Sequence, residues 1–192
     1  QNKFQKEDLT IDIQNSALSA KEINALKNFS KGLSDSDKAL KQLYDYVMNR
    51  EKETVVLWFG DHLPTLGNDF SPYTTTGALQ SSTSENWSDA ETKYMFSTPY
   101  LLFANYDTQK SYVADKQEVS SYLLMPLLLD YIHAPETVQS NLLLDLYQTC
   151  PVIHTKYNLY QPNTDPQKTK KLLDALWLVT YDQLMGKDFI NH

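Results

Sequence analysis

Residues 54–62 read TVVLWFGDH, and the prediction of the fold starts from them. A short, continuous run of β-branched and aromatic residues that stops at Gly60 is typical of a strand buried on both faces, as in a parallel sheet covered by helices. In such a sheet ligands collect at the carboxyl ends of the strands, because the loops that leave there converge around a crevice. Asp61 and His62 follow the strand directly and are therefore the first candidates for a functional site.

Asp61 and His62 allow two interpretations. An adjacent carboxylate and imidazole can both ligate a divalent cation, since Asp supplies a hard oxygen and His supplies a nitrogen that Zn or Mn accepts. In a purely structural turn, Asp61 would instead cap the residues after it and His62 would hydrogen-bond locally. Residues 60–92 form a long polar stretch, and a loop of that length is often functional. The residues alone leave both interpretations open.

A long amphipathic helix is predicted before the strand, over residues 20–49. Ser19 followed three residues later by Glu22 has the form of a capping box, and apolar residues recur behind it near the helical period. Gly32 and residues 34–37 are weak helix formers, so the pattern allows a kink or break there.

The residues after the loop alternate strand and helix patterns. We expect a strand at 98–105, helices at 119–133 and 137–147, a strand at 154–160, a loop at 161–167 and a helix at 170–184 that Gly186 ends. The last helix has an apolar face built from Leu172, Leu173, Leu176, Trp177 and Val179. The order of elements argues for a layered α/β architecture.

Composition excludes several classes of function. The chain has 192 residues and a formal net charge of -7, so it lacks the basic face that a general nucleic-acid binder needs. No apolar run approaches the roughly 20 residues that cross a bilayer. The single cysteine, Cys150, excludes an intrachain disulfide and a Cys-rich zinc site, and we interpret it as a small apolar filler.

The remaining acidic and histidine candidates have simpler explanations. Asp35 and Asp37 lie beside Lys38, which fits a solvated helix face with local ion pairs better than a second metal site. His133 falls at a predicted helix carboxyl end and is interpreted as structural. His154 and His192 have no partner at metal-ligand spacing and receive no role.

Two aromatic residues, Trp87 and Tyr94, flank the polar stretch. They would either line a substrate groove or pack the loop down onto the domain. The sequence leaves that choice open.

Five ordered segments resemble one enzyme group. They are VVLWFGDHLPTLG (55–67), INALKNFSKGLSDSDKALKQLYDYV (23–47), FSTPYLLFAN (96–105), SSYLLMPLLLDYI (120–132) and YDQLMG (181–186). In order and spacing they resemble the lipoteichoic acid synthase and phosphoglycerol transferase group of the sulfatase and alkaline phosphatase superfamily. The resemblance implies an alkaline phosphatase-like α/β sheet with helices on both faces, with residues 1–192 as the carboxyl-terminal portion of a sulfatase-like catalytic domain.

The resemblance also implies a site. It makes Asp61 and His62 ligands of one catalytic divalent metal, commonly manganese, with zinc or magnesium as alternatives. The family's threonine nucleophile and a further acidic ligand belong to the amino-terminal half of the domain, so no catalytic nucleophile is expected in this chain. A family Gln-Asn-His motif, whose His contacts the substrate, is expected just before residue 1, and Gln1-Asn2-Lys3 does not reproduce it.

By the same resemblance, the complete protein is a transferase or hydrolase that acts on phosphoglycerol, phosphoethanolamine or a sulfate ester. Upstream transmembrane helices would anchor it at the extracellular face of a bacterial membrane. The chain alone, with at most two metal ligands, is expected to be inactive without the missing amino-terminal half. The rival interpretation is a noncatalytic domain of the same fold that binds a surface glycan or a partner protein.

Overall fold

The computed structural model describes residues 11–15, 17–67, 69–109, 118–154, 159–160, 165–187 and 189. The described helices are α1 (Ala20–Met48), α2 (Ser71–Thr75), α3 (Asp89–Met95), α4 (Leu124–Tyr131), α5 (Val138–Thr149) and α6 (Pro166–Met185). The strands are β1 (Val55–Phe59), β2 (Tyr100–Ala104), β3 (Ile153–His154) and β4 (Leu159–Tyr160). Single 3-10 turns cover Ser84–Asn86 and Ser121–Leu123. The chain divides into two compact units, residues 1–54 with 58–101 and residues 55–57 with 102–192.

Helix α1 begins at the predicted capping box. The Ser19 N–H donates to Glu22 Oε2 at 2.7 Å, and the Glu22 N–H donates back to Ser19 Oγ at 3.3 Å. The helix then continues through Gly32 without a break. Ion pairs four residues apart, such as Lys31 with Asp35 at 2.5 Å, support this middle section.

Strand β1 lies where the sequence predicts it, but the expected burial on both faces is wrong. Its first four residues are half-buried, and Phe59 is 49% exposed. Within the described residues β1 pairs only with β2, in a two-stranded sheet. So small a sheet has too few neighbouring elements to cover both faces of a strand.

The polar stretch 60–92 contains secondary structure that the sequence prediction missed. Helix α2 lies at 71–75, a 3-10 turn lies at 84–86, and helix α3 begins at 89. Helical segments of three to seven residues are too short to show an apolar period. One signal was available, because Ser88 and Glu91 form a capping box at the start of α3. These helices surround a small apolar cluster of Tyr73, Leu79 and Met95, against which Leu63, Leu66, Phe70 and Trp87 pack.

The second unit is organised around an apolar core. Its buried members are Leu123, Leu127, Leu146, Tyr147, Cys150 and Ile153, and the Leu172, Leu173 and Leu176 side chains of α6 pack against them. Cys150 is fully buried there, which confirms its interpretation as a filler. Ser120 adds a polar link, because its Oγ donates to the Ile153 carbonyl at 3.0 Å and accepts from the Ile153 N–H at 2.9 Å.

The carboxyl-terminal elements differ in detail from the prediction. The strand expected at 154–160 is instead a pair of two-residue strands, with Ile153 opposite Tyr160 in antiparallel register, and residues 155–158 lie outside the described residues. Helix α6 starts at Pro166 rather than at 170, because Asp165 accepts hydrogen bonds from the Gln167 and Lys168 N–H groups and caps the helix. Gly186 ends it as predicted.

Trp177 does not share the face of α6 that packs on the core, so its predicted place on the apolar face is wrong. The side chain is 63% exposed and stacks on Tyr181 with ring centroids 5.4 Å apart. At about 100° per residue, Trp177 points roughly 100° away from the face that Leu172, Leu173 and Leu176 share. In the part of the chain that the structure describes, no helix is both long and apolar enough to cross a membrane.

Candidate functional site

A close contact between Gly60 and residues 98–99 fixes the end of β1. The Gly60 N–H donates to the Pro99 carbonyl at 3.2 Å, and Thr98 Oγ1 donates to the Gly60 carbonyl at 2.8 Å. A Cβ on residue 60 would lie only 2.8 Å from the Thr98 Cβ. Glycine is therefore required here because the Thr98 side chain occupies the space of a Cβ. Nothing in the local sequence indicates this role for Thr98, because its partner Gly60 lies 38 residues earlier.

Asp61 and His62 leave this fixed point side by side. The His62 N–H donates to Asp61 Oδ1 at 2.8 Å, and His62 Nδ1 donates to the Leu63 carbonyl at 2.9 Å. Their other polar atoms, Asp61 Oδ2 and His62 Nε2, lie 3.6 Å apart. The two side chains are 86% and 61% exposed. Both residues thus form local hydrogen bonds, and each keeps one polar atom at the surface next to that of the other.

Protonation in this turn suits a cation. Hydrogen bonds from the backbone N–H groups of His62 and of Asp61 itself, with the nearby imidazole, lower the pKa of the Asp61 carboxyl, so it is ionised at neutral pH. A carbonyl oxygen only accepts, so the bond to Leu63 places a proton on Nδ1 of His62. In the neutral ring Nε2 then carries a lone pair. The turn presents an anionic oxygen and a nitrogen donor together.

The spacing of Asp61 Oδ2 and His62 Nε2 fits two ligands of one divalent cation. Two protein ligands about 2.1 Å from one metal ion lie about 3.0 to 3.4 Å apart in octahedral or tetrahedral geometry. The observed 3.6 Å between Oδ2 and Nε2 needs only a small rotation of two exposed side chains. Among the residues that the structure describes, no group of three or more His, Cys, Asp or Glu side chains converges. A metal site built on Asp61 and His62 would therefore need further ligands.

The structure answers the open question about Trp87. Its ring meets Phe70 edge-on, with centroids 5.1 Å apart, and its Nε1 donates to the Ser81 carbonyl at 2.8 Å. Trp87 packs the loop down. Tyr94 is 49% exposed and contacts the ring of Tyr73 edge-on at 6.4 Å.

The other predicted candidates have structural environments. Asp35 pairs with Lys31 and, at 3.7 Å, with Lys38, which confirms the ion-pair interpretation, and Asp37 lies on the exposed side of α1. His133 donates from Nε2 to the Thr108 carbonyl at 2.8 Å, which confirms its structural role.

Three candidates are not tested by the side-chain geometry. The backbone of His154 belongs to β3, and its side chain lies outside the described part of the structure. His192 and the Gln1-Asn2-Lys3 segment also lie outside the described residues.

Comparison with known proteins defines the class. A sequence model of the sulfatase family matches residues 1–134, more than half of the chain, and the protein therefore belongs to the sulfatase family. The Streptococcus pyogenes phosphoglycerol transferase GacH, solved in complex with sn-glycerol-1-phosphate, has a similar structure. The match has a TM-score of 0.60 at 18% sequence identity, and covers 88% of this chain and 37% of that one. The chain thus has part of a sulfatase and alkaline phosphatase-like fold, as the sequence predicted.

A curated relative shares a shorter stretch. A putative cyclic beta-1,2-glucan modification protein of Rhizobium meliloti (strain 1021) is 32% identical over 81 residues, which is 42% of this chain and 12% of that protein. The chain therefore spans a minor part of each of these two proteins. These comparisons confirm the predicted family, the fold and the sulfatase-like class.

Proposed function

We propose that Asp61 and His62 are two ligands of a catalytic divalent cation in a sulfatase-like enzyme that acts on phosphoglycerol or a related anionic ester. One observation carries the proposal: the anionic Asp61 Oδ2 and the His62 Nε2 lone pair lie 3.6 Å apart, exposed, at the end of β1. Membership of the sulfatase family supports an ester-processing enzyme, and the phosphoglycerol transferase GacH, bound to sn-glycerol-1-phosphate, supports this substrate class.

The residues of this chain have distinct tasks in the proposed site. The cation, manganese in our proposal with zinc or magnesium as alternatives, would neutralise charge on the ester oxygens and lower the pKa of a nucleophile. Asp61 contributes a charged oxygen. His62 contributes Nε2 while its Nδ1 donates to the Leu63 carbonyl, and such a bond orients a ligating imidazole. The Gly60–Thr98 contact holds the backbone from which both side chains leave.

The complete protein must supply what these two ligands lack. We propose that the nucleophile and the remaining ligands lie outside this chain, so that the 192 residues alone are inactive. A two-ligand site binds metal weakly, because catalytic sites generally hold three or more protein ligands. Anchoring at the extracellular face of a bacterial membrane by upstream helices belongs to the same proposal.

Two isosteric substitutions in the complete protein test the ligand roles. Asp61→Asn and His62→Gln should each lower Mn²⁺-dependent hydrolysis of a chromogenic phosphodiester by at least about 100-fold. Asp69→Asn is the matched control, since Asp69 is another exposed carboxylate of the same loop and accepts a hydrogen bond from the Ser71 N–H. Wild-type activity in both the Asp61 and the His62 variants would refute the proposal.

The rival, a noncatalytic binding domain, makes the opposite prediction. The complete protein would bind a surface glycan equally well with and without Asp61→Asn, and it would hydrolyse no ester. Activity of the 192-residue chain alone that disappears in Asp61→Ala would contradict a different part of the account, namely that the site needs residues from elsewhere.

A further inference from the structure

The imidazole of His62 depends on a short segment of backbone. Its Nδ1 donates to the Leu63 carbonyl at 2.9 Å, so the direction of that carbonyl decides which nitrogen carries the proton and where Nε2 points. Leu63 precedes Pro64, and a residue before proline is restricted to extended conformations. That restriction narrows the direction of the carbonyl without fixing it.

Two hydrogen bonds fix the Leu63–Pro64 segment from either side. The Leu63 N–H donates to the Met95 carbonyl at 3.1 Å, at the end of α3. The Tyr73 hydroxyl, from α2, donates to the Pro64 carbonyl at 2.7 Å. The Leu63 carbonyl lies between these two anchors in the chain and cannot turn without breaking one of them.

Tyr73 itself is held firmly. Its side chain is 7% exposed, and its ring contacts Phe70 and Tyr94 with centroids 6.4 Å away in each case. Burial, with a smaller effect of Tyr94, raises the pKa of Tyr73 to about 12, so the hydroxyl keeps its proton and donates at any physiological pH. A buried hydroxyl whose bond is made to a loop backbone is costly to displace.

We infer that Tyr73 is a positioning residue for His62: its hydroxyl holds the Pro64 carbonyl, and the fixed Leu63–Pro64 segment then keeps His62 protonated on Nδ1 with Nε2 presented beside Asp61. The inference rests on the proposed role of His62 as a metal ligand. Tyr73 touches neither Asp61 nor a substrate in this account. It acts only through the backbone.

Tyr73→Phe tests the inference, because it removes the hydroxyl and keeps the ring. In the metal-free chain, ¹⁵N NMR of the neutral His62 ring should show the Nδ1–H tautomer in the wild type. The variant should show a mixture with Nε2–H. Tyr94→Phe is the matched control: it removes a hydroxyl from the same aromatic cluster and should leave the tautomer unchanged. An unchanged tautomer in a folded Tyr73→Phe chain would overturn the inference.

Metal affinity supplies the second readout. In the complete protein, Mn²⁺ alone should bind about tenfold more weakly to Tyr73→Phe than to the wild type, the loss expected when a group that orients a ligand is removed. If His62→Gln weakens Mn²⁺ binding and Tyr73→Phe does not, the ligand role stands and the positioning role fails. If neither substitution alters Mn²⁺ binding, the proposed function fails, and the tautomer measurement still decides whether Tyr73 orients His62.

If the Tyr73→Phe chain does not fold, a measurement on the wild type tests the inference instead. The wild-type Tyr73 hydroxyl proton should exchange slowly with water, since the group is buried and hydrogen-bonded to the Pro64 carbonyl. Fast exchange of that proton would contradict the inference without any substitution.

Discussion

The turn after β1 and the turn after α4 each hold a histidine that donates to a backbone carbonyl, and they use it differently. His62 bonds to the next residue, is 61% exposed and presents its second nitrogen beside Asp61. His133 bonds to Thr108, 25 positions earlier, and joins two distant stretches of chain. A carbonyl bond is thus no sign of function by itself. His62 has, in addition, its second nitrogen 3.6 Å from the Oδ2 of the adjacent Asp61.

Exchanging the two histidines for alanine should give opposite results. His62→Ala should weaken Mn²⁺ binding at the Asp61 turn by at least about 100-fold, so that paramagnetic relaxation by bound Mn²⁺ disappears there. Because the side chain is exposed, the same substitution should change the free energy of unfolding by less than about 0.5 kcal/mol. His133→Ala should leave the Mn²⁺ response unchanged and cost about 1 kcal/mol in urea unfolding, because the bond to Thr108 is lost. Loss of the Mn²⁺ response in His133→Ala would erase the contrast.

The backbone under the first turn is the next point to test. Gly60→Ala should cost about 1 to 3 kcal/mol in urea unfolding, because its Cβ would lie 2.8 Å from the Thr98 Cβ. Combining Gly60→Ala with Thr98→Gly, which empties that space, should recover part of the loss. Strict additivity of the two changes in a double-mutant cycle would show that the contact is not the cause.

The second turn has its own backbone requirement. His133 has a φ of 53°, in the left-handed region that asparagine tolerates better than alanine. His133→Asn should therefore be about 1 kcal/mol more stable than His133→Ala in the same urea titration, although both lose the bond to Thr108. Equal stabilities would mean that the side-chain bond accounts for the whole effect.

The loss of stability at low pH should depend on Glu22, in the first unit, and not on the two histidine turns. Bonds from Ser19, and then from Thr75 and Ser71, lower the pKa of Glu22 from 4.5 to about 2, and Thr75 donates to Glu22 Oε1 at 2.8 Å. Since the folded-state pKa is the lower one, this stabilisation is complete above about pH 4.5 and is lost as the pH falls towards 2. Glu22→Gln should flatten the dependence of urea stability on pH within that window, and an unchanged slope would contradict the assignment.

Much of the fold could be predicted from local patterns. The capping box at Ser19, the apolar run of β1 and the periodic apolar residues of α4 and α5 each specify an element without long-range information. The short helices of 60–92 could not be predicted because their stability comes from packing around Tyr73. Such packing leaves no periodic pattern of apolar residues in the local sequence. Trp177 was misplaced because a hydrophobic side chain near an apolar face need not belong to it.

The site was predictable only in part. Asp61 and His62 became candidates because they directly follow a strand pattern. The groups that hold them, Thr98 and Tyr73, lie 38 and 9 residues from their hydrogen-bond partners Gly60 and Pro64. Contacts of that kind depend on tertiary structure, and a single sequence carries no spacing rule for them.

The central claim is that Asp61 and His62 together hold a divalent cation. Crystals of the complete protein grown with Mn²⁺ and measured at the manganese absorption edge test it most directly. We expect an anomalous difference peak within ligand distance of both Asp61 Oδ2 and His62 Nε2. A manganese peak held entirely by other residues, with neither of these atoms in contact, would contradict it.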